Sequence, residues 1–222
     1  MVKVLGLTGG IGTGKSTAAE FFRNNNFAHI DADQISRNLT ADGSSILPVL
    51  DELFGPNGEF GDGRTEILDE NGNLIRKAMA AVVFSEKKRR QRLNELMFEE
   101  IIGETDRLIE MYKSQPEDEI AGILIDAPLL FEAGLDDRCD KTLLLTADID
   151  VRLKRVCLRD NATEEEVMNR IRNQLSDDEK IKLADAVIDN SDGIDELFAK
   201  LQAFLDELGE SERSVNETYD LK

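Results

Sequence analysis

A short glycine-rich run near the N-terminal end has the residue types and spacing of a phosphate-binding loop. Gly9-Gly10-Ile11-Gly12-Thr13-Gly14-Lys15-Ser16 matches the pattern G-x-x-x-x-G-K-[ST] directly after the apolar run Val2 to Leu7. Backbone N–H groups of such a loop surround phosphate, and the positive end of the next helix favours an anion there. A purely structural glycine turn is the alternative, but the order of strand, loop and helix favours phosphate. We expect Lys15 to reach the outer phosphates of a nucleoside triphosphate and the Ser16 hydroxyl to hold Mg²⁺.

Carboxylates follow two further apolar runs. Asp31 and Asp33 come directly after Ala28-His29-Ile30, and Asp126 closes the run Ile123-Leu124-Ile125. The carboxyl ends of parallel strands meet at one edge of a sheet, so these side chains are expected beside the phosphate loop. Asp33 is then a candidate general base toward a hydroxyl acceptor, and Asp126 a candidate to help hold Mg²⁺. Capping of the following helix is the alternative for both members of the D-x-D pair, and it remains the favoured interpretation of Asp31.

A cluster of arginines lies downstream on one predicted helix. Arg152, Arg155 and Arg159 are spaced i, i+3 and i+7, which predicts a cationic face. Guanidinium groups on a movable segment could stabilise charge on a transferring phosphoryl group. The apolar residues of the same segment, Leu153, Val156 and Cys157, are predicted on the opposite side. A solvated face paired with nearby acids, namely Asp148, Asp150 and Asp160, is an equally open alternative.

Two other features are interpreted as structural. The basic run Lys87 to Arg92 begins a long helix with charge in every direction around the axis, so most of it should face water. His29, the only histidine of the chain, lies inside a short apolar strand and is expected to be packed and hydrogen-bonded rather than catalytic. No histidine cluster or cysteine pair suggests a transition metal.

The composition argues against nucleic-acid and membrane partners. The 222 residues are 41% hydrophobic and include 46 acidic against 27 basic residues, for a formal charge of −19, which opposes attraction to polyanions. No apolar stretch approaches the roughly twenty residues that cross a bilayer, and no apolar leader precedes the first strand. Cys139 and Cys157 lack C-x-x-C spacing. We therefore expect a cytoplasmic protein, and the acidic residues from Asp206 to Asp220 predict a frayed tail.

The elements that must position these residues follow an α/β rhythm. Five short apolar runs alternate with longer helical patterns, which predicts a parallel sheet with helical crossovers. The gap between Ile30 and Ile120 is too long for one crossover and must hold an additional helical region. Thr163 and Glu166 form a capping box that predicts a helix start. Residues 54–63 predict an exposed loop. A long amphipathic helix is predicted with an apolar stripe of Leu93, Met97, Ile101, Leu108 and Tyr112.

Taken together, the motifs resemble those of the dephospho-coenzyme A kinase family. The D-A-D-x-I-[AS]-R and P-L-L-F-E patterns are the distinctive ones, whereas the glycine-rich run is shared by many nucleotide kinases. The matching segments are Gly6 to Thr17, Ile30 to Arg37, Pro128 to Glu132, Arg159-Asp160, Gln174 and Ala184 to Asn190.

The resemblance implies ATP- and Mg²⁺-dependent phosphorylation of the ribose 3′-hydroxyl of dephospho-coenzyme A. In the positions that match, the loop from Gly9 to Thr17 binds the ATP phosphates and Asp33 is the base. Arg155 contacts the transferring phosphate, and Arg159 and Asn190 lie near the nucleotide.

The family fold implied for this chain is a three-layer P-loop kinase-like α/β fold with a five-stranded parallel sheet flanked by helices. One domain over 1–222 would comprise a core, a helical acceptor-binding region, a lid and an acidic tail. Their predicted bounds are 1–35, 118–150 and 180–208 for the core, 36–117 for the acceptor-binding region, 151–179 for the lid and 209–222 for the tail. The implied partners are ATP and dephospho-coenzyme A, with no nucleic acid or membrane, in a monomer or small homo-oligomer.

The chain departs from the family pattern in the predicted acceptor region. Met97-Phe98 stands where the family usually has His-Pro, the histidine being associated with acceptor binding. Leu74-Ile75-Arg76 is what remains of a Leu-x-Arg stretch, and the loop from Gly55 to Asn73 is longer and more acidic than expected. These departures concern acceptor identity rather than phosphate chemistry.

Two other functions compete with this prediction. Another small-molecule or nucleotide kinase could use the same loop. A guanine-nucleotide switch is disfavoured, because the D-x-x-G of Asp69 to Gly72 lies in a polar turn region and no N-K-x-D motif follows it.

Overall fold

A single five-stranded sheet organises the chain. The computed structural model describes residues 2–116, 119–172 and 174–219, with side chains as far as residue 209. The strands run in parallel and lie in the order β2-β3-β1-β4-β5. Their bounds are β1 Val4–Gly9, β2 Phe27–Asp31, β3 Gly122–Asp126, β4 Lys141–Thr146 and β5 Ala186–Asp189. The predicted parallel α/β fold is confirmed.

Helices connect the strands and fill the long gap between β2 and β3. Nine α-helices occur in the part of the chain that the structure describes, together with a 3₁₀ turn at Asp136–Arg138. They are α1 Lys15–Asn24, α2 Ala32–Leu39, α3 Leu47–Phe54, α4 Arg76–Phe84, α5 Lys87–Lys113, α6 Ile149–Asp160, α7 Glu164–Ile171, α8 Asp177–Leu183 and α9 Ile194–Tyr219.

The chain divides into two compact units. The first comprises Met1–Ile30 together with Met111–Lys222, and the second comprises Asp31–Glu110. The core of the first unit lies where β1, β3 and β4 meet α1 and α9, and Phe22 is fully buried in it. Phe21 is only partly buried and stacks on Phe198 of α9, with ring centroids 6.0 Å apart. Of these two aromatic residues of α1, Phe22 is therefore the one that lies inside the core.

The second unit has a core of its own. Helices α3, α4 and the first half of α5 surround a cluster that includes Leu50, Phe54 and Val82. The loop between α3 and α4 contributes Ile67, which is fully buried, and Phe60, whose ring lies 5.8 Å from that of Phe54. The segment predicted as an exposed loop is a loop from residue 55 onward, but its aromatic side chains turn inward.

The buried side of α5 differs from the predicted stripe. Leu96, Ile101, Thr105 and Ile109 are buried, whereas Leu93, Met97, Leu108 and Tyr112 are only partly so. A 27-residue helix carries apolar residues on more than one side, so sequence periodicity does not decide which side meets the core.

The C-terminal end is helical where the sequence predicted a frayed tail. Helix α9 continues to Tyr219, and Asp220 to Lys222 lie outside the described residues. The residues beyond Leu208 are mostly Glu, Ser and other residues that a helix tolerates. A helix already started by packed residues such as Leu197 and Leu201 extends through such residues at little cost.

Candidate functional site

The glycine-rich run forms a tight loop between β1 and α1. β1 ends at Gly9, and Gly14 is the N-cap of α1 with a φ of 93°. Gly12 also has a positive φ, 84°, so both positions require the freedom that glycine has. No acidic residue occupies the first turn of α1, and Ser16 is exposed there. The positive end of the helix dipole is therefore uncompensated by a local carboxylate, which suits an anion.

Side chains from distant parts of the chain hold the loop in shape. Asn190, which follows β5 and is 5% exposed, donates from Nδ2 to the Thr13 carbonyl oxygen at 2.8 Å. The Thr13 hydroxyl in turn donates to the Gly10 carbonyl oxygen at 2.9 Å. A Cβ at Gly14 would collide with the Asn190 amide, so the close approach of that amide explains why glycine is needed there.

Lys15 and Asp126 meet beside this loop. Parallel pairing places Asp126, the last residue of β3, opposite Leu7 of β1, and its side chain forms an ion pair with Lys15 Nζ through Oδ1. Asp126 is 7% exposed. Burial alone would raise the pKa of its carboxyl group. The hydrogen bond with His29 and the charge of Lys15 outweigh burial and hold that pKa below its ordinary value, so Asp126 is an anion at neutral pH.

His29 is a site neighbour whose role sequence reasoning missed. Its Nε2 lies 3.3 Å from Asp126 Oδ2, because β2 is the neighbour of β3 in the sheet. The prediction of a packed, hydrogen-bonded histidine is correct. Its hydrogen-bond partner is the carboxylate of Asp126, the candidate metal ligand. In the sequence, the one sign of this contact is that His29 lies on a strand whose carboxyl end meets the same sheet edge as Asp126.

The predicted cationic face of α6 divides into three different environments. Arg152 is 3% exposed, donates from Nε to the Ile11 carbonyl oxygen at 2.8 Å, and pairs with Asp177 at 2.7 Å. Arg155 is half-buried, and its Nη1 lies 3.4 Å from the Gly12 carbonyl oxygen. Both arginines therefore meet the phosphate loop.

Arg159 makes its contacts away from the loop. It is exposed and forms an ion pair with Asp160 at 2.7 Å. The solvated-face interpretation thus describes Arg159, whereas it is wrong for Arg152. The reason is helical geometry: Arg152 and Val156, at i and i+4, share the side that is buried, so Arg152 does not lie opposite the apolar residues.

Asp31, the last residue of β2, and Asp33, two residues later, belong to the second unit and differ in role. Asp31 is the N-cap of α2 and accepts from the Gln34 backbone N–H at 2.8 Å, as the capping interpretation predicted. Asp33 is an exposed residue in the first turn of α2.

The D-x-x-G run of Asp69 to Gly72 lies in a hydrogen-bonded turn. The carboxylate of Asp69 accepts backbone N–H groups of Asn71 and Asn73, both at 2.9 Å, so its D-x-x-G run is a self-capped turn. Among the described residues, no group of three or more His, Cys, Asp or Glu side chains could hold a metal ion. None of the helices in the described ranges has the length and apolar character needed to cross a membrane.

The sheet and the loop together define the class of protein. A parallel five-stranded sheet with a G-x-x-x-x-G-K-[ST] loop between its central strand and the following helix is the P-loop architecture that binds nucleoside triphosphates. Lys15 and Ser16 begin the helix that follows this loop, and Asp126 ends β3 beside it.

Comparison with known proteins narrows this class to one family. A sequence model described as "Dephospho-CoA kinase" matches residues 3–196. The dephospho-CoA kinase of Fusobacterium nucleatum is 35% identical over 203 residues, 91% of this chain and 97% of that protein. That of Bacillus cereus is 37% identical over 205 residues, 92% of this chain and 96% of that protein. The chain therefore belongs to the dephospho-CoA kinase family and is a kinase, a transferase of phosphoryl groups.

A solved structure supports the fold assignment. TT1252 from Thermus thermophilus shares 31% sequence identity with the chain and superposes with a TM-score of 0.70. The superposition covers 94% of this chain and 98% of that one. The P-loop kinase-like fold predicted from the motifs is confirmed.

Proposed function

We propose that this chain transfers the γ-phosphoryl group of ATP to the ribose 3′-hydroxyl of dephospho-coenzyme A, giving coenzyme A and ADP. The observation that carries the proposal is a phosphate loop held by Arg152 and Asn190 beside a Lys15–Asp126 pair, in a member of this family. The activity agrees with a cytoplasmic protein that needs no nucleic-acid or membrane partner, either as a monomer or as a small homo-oligomer.

The loop from Gly9 to Thr17 binds the β- and γ-phosphates in this proposal. Backbone N–H groups and the start of α1 supply fixed partial charge, which needs no reorganisation when charge develops on the phosphoryl group. Lys15 exchanges its ion pair with Asp126 for the outer phosphates. Asn190 acts through the loop, because its amide nitrogen is already bound to Thr13.

Ser16 and Asp126 suit a magnesium ion. Mg²⁺ prefers oxygen ligands, and a buried carboxylate that stays ionised next to an exposed hydroxyl at a helix start provides them. When bound, the ion neutralises charge on the phosphate oxygens. Lys15 and His29 keep the Asp126 carboxylate ionised and in place.

Asp33 takes the proton of the acceptor hydroxyl, and Arg155 stabilises charge on the transferring group. Asp33 follows β2 at the carboxyl edge of the sheet, where a base in a P-loop kinase is expected, and it is exposed. Two observations support this role of Arg155. Its guanidinium approaches the Gly12 carbonyl oxygen, and its helix, α6, packs directly against the loop. Arg159 reaches the nucleotide only by leaving its ion pair with Asp160.

The second unit is the proposed acceptor-binding region, and α6 with α7 forms the proposed lid. Met97 and Phe98, which replace the usual His-Pro, are half-buried on α5, so this part of the acceptor region offers apolar contact instead of a polar group. The proposal therefore places recognition of dephospho-coenzyme A on contacts other than that histidine.

The test is a coupled ADP-release assay over a panel of acceptors. Dephospho-coenzyme A should stimulate ADP release from ATP, and a nucleoside, a nucleoside monophosphate and shikimate should not. Stimulation by one of those acceptors alone would replace the proposal with another kinase activity. GTP turnover that no acceptor stimulates would point to a nucleotide switch.

A further inference from the structure

Two buried cations of the first unit have no direct contact with substrate in the proposed function. Arg152 is 3% exposed and Lys180 is completely buried. Burying a cation costs several kcal/mol unless it is paired and hydrogen-bonded, so each must have partners that repay the cost. Each of the two cations has the same kinds of partner, one backbone carbonyl oxygen and one carboxylate.

The carbonyl oxygens belong to the two loops of the nucleotide site. Arg152 donates to the Ile11 carbonyl oxygen, inside the phosphate loop, at 2.8 Å. Lys180 donates to the Pro128 carbonyl oxygen at 2.8 Å, two residues beyond the candidate magnesium ligand Asp126. The first cation thus restrains the phosphate-binding side of the site, and the second restrains the metal-binding side.

The first turn of α8 joins these two restraints. Asp177, at the start of α8, accepts from Arg152 Nη1 at 2.7 Å, and Lys180 follows one turn later on the same helix. Lys180 also pairs at 3.3 Å with Glu132 Oε1, which accepts the Leu175 backbone N–H at 3.0 Å. The start of α8 is therefore tied to the phosphate loop through Arg152 and to the loop after Asp126 through Lys180 and Leu175.

Arginine suits the first of these contacts for a geometric reason. Its planar guanidinium donates in fixed directions, so one side chain can bind the Ile11 carbonyl oxygen through Nε and the Asp177 carboxylate through Nη1. A Cβ at Gly10 would collide with the same guanidinium, so it lies directly against the loop backbone. With its carbonyl held, the Ile11 peptide cannot rotate without breaking a charge-assisted hydrogen bond.

We propose that Arg152 and Asp177 are positioning residues for ATP. They hold the Ile11 peptide so that the phosphate loop keeps its anion-binding shape, and they tie that shape to the first turn of α8. Neither side chain needs to touch the nucleotide. The proposal rests on the proposed function only in taking ATP as the ligand.

The experiment compares Asp177→Asn with Asp178→Asn. Both substitutions remove one charge from the first turn of α8, so they change the helix-dipole contribution alike, but Asp178 is exposed. ATP affinity is measured directly, with a fluorescent ATP analogue in the absence of acceptor, and the KM values for ATP and for acceptor are measured separately. Thermal unfolding is recorded for both variants.

We expect Asp177→Asn to weaken ATP binding on the order of tenfold relative to Asp178→Asn, with the acceptor KM unchanged. Equal ATP affinity in the two variants would overturn the proposal, whatever their unfolding temperatures. A lower unfolding temperature with normal ATP affinity would likewise assign the pair a structural role only.

A second variant protects the test against failure to fold. Arg152→Lys keeps the charge but loses the fork that binds Ile11 and Asp177 together, so it should weaken ATP binding to a similar extent. Normal ATP binding in Arg152→Lys would contradict the proposal. Combining Arg152→Lys with Asp177→Asn should weaken ATP binding little more than either change alone, because both changes break the same contact. Fully additive losses of ATP affinity would contradict the proposal. If the unsubstituted protein fails to phosphorylate dephospho-coenzyme A but these ATP-binding results are obtained, the proposed reaction is wrong and the positioning role of Arg152 and Asp177 is still supported.

Discussion

Lys15 Nζ forms an ion pair with the Oδ1 atom of Asp126, so the lysine of the phosphate loop and the acid at the end of β3 neutralise each other. Asp126 is almost completely buried, and its pairing with Lys15 offsets part of the cost of burying a carboxylate. In the proposed function, the nucleotide phosphates take Lys15 as their partner and the metal ion takes Asp126.

The first prediction concerns Lys15. Lys15→Ala should abolish detectable phosphoryl transfer, because no other side chain of the loop supplies a cation to the outer phosphates, and Asp126 would lose its nearest counter-charge. Turnover in the coupled assay and ATP affinity by fluorescence titration check this. Lys154→Ala is the control, since Lys154 is an exposed lysine on α6. Transfer by Lys15→Ala at more than a few per cent of the normal rate would contradict the role.

The second prediction separates Asp31, which ends β2, from Asp33, which follows it. Asp33→Asn should lower kcat by at least about 10²-fold and leave ATP affinity nearly intact, since an amide cannot take the acceptor proton. Asp31→Asn is the matched control, because asparagine caps a helix as well as aspartate does and the cap to Gln34 would persist. Its kcat and stability should change little. A normal kcat in Asp33→Asn would eliminate that residue as the base.

The third prediction concerns Arg155. Arg155→Ala should slow transfer by about 10²-fold or more at saturating ATP, because a guanidinium that approaches the loop can stabilise charge in the transition state. The unfolding temperature should hardly change, since the side chain is only half-buried. Single-turnover rates of Arg155→Ala and of the neighbouring Lys154→Ala give the comparison. Equal single-turnover rates in the two variants would show that Arg155 has no part in phosphoryl transfer.

Features that depend on residues close together in the chain were predicted correctly, whereas contacts between residues far apart in the chain were not. The glycine spacing of the phosphate loop, the Thr163 capping box and the Asp31 cap are patterns within a few residues of the chain, and all three were predicted. The burial of Arg152 depends on Ile11 and Asp177, which lie 141 and 25 residues away. Spacing along α6 alone could not reveal those partners, and it suggested the wrong side of the helix.

Strand order explains another miss. His29 meets Asp126 only because β2 and β3 are neighbours in the sheet, although 97 residues separate them in the chain. A parallel sheet can be predicted from apolar runs, whereas its strand order depends on crossovers that leave no local signal. The continuation of α9 beyond Leu208 was missed because its composition is typical of disorder, yet a packed helix extends through such residues.

The fourth prediction concerns pH and Cys139. Burial, and secondarily the nearby carboxylates of Asp136 and Asp140, raise the pKa of the Cys139 thiol from 9.0 to about 12. The thiolate is disfavoured in the folded protein, so Cys139 should resist alkylation by iodoacetamide from pH 7 to pH 9 and react promptly after unfolding in denaturant. Peptide mass spectrometry of the modified protein measures this. Rapid native modification of Cys139 in that pH range would contradict the burial described here.

The chemical identity of the product tests the proposed activity most directly. Purified protein is incubated with Mg²⁺, ATP labelled in the γ-phosphoryl group and dephospho-coenzyme A, and the product is analysed by mass spectrometry and ³¹P NMR. For the proposed activity we expect labelled coenzyme A with its new phosphate on the ribose 3′-oxygen, formed in a one-to-one ratio with ADP. Label in inorganic phosphate alone, or an unmodified ribose after ATP has been consumed, would contradict it.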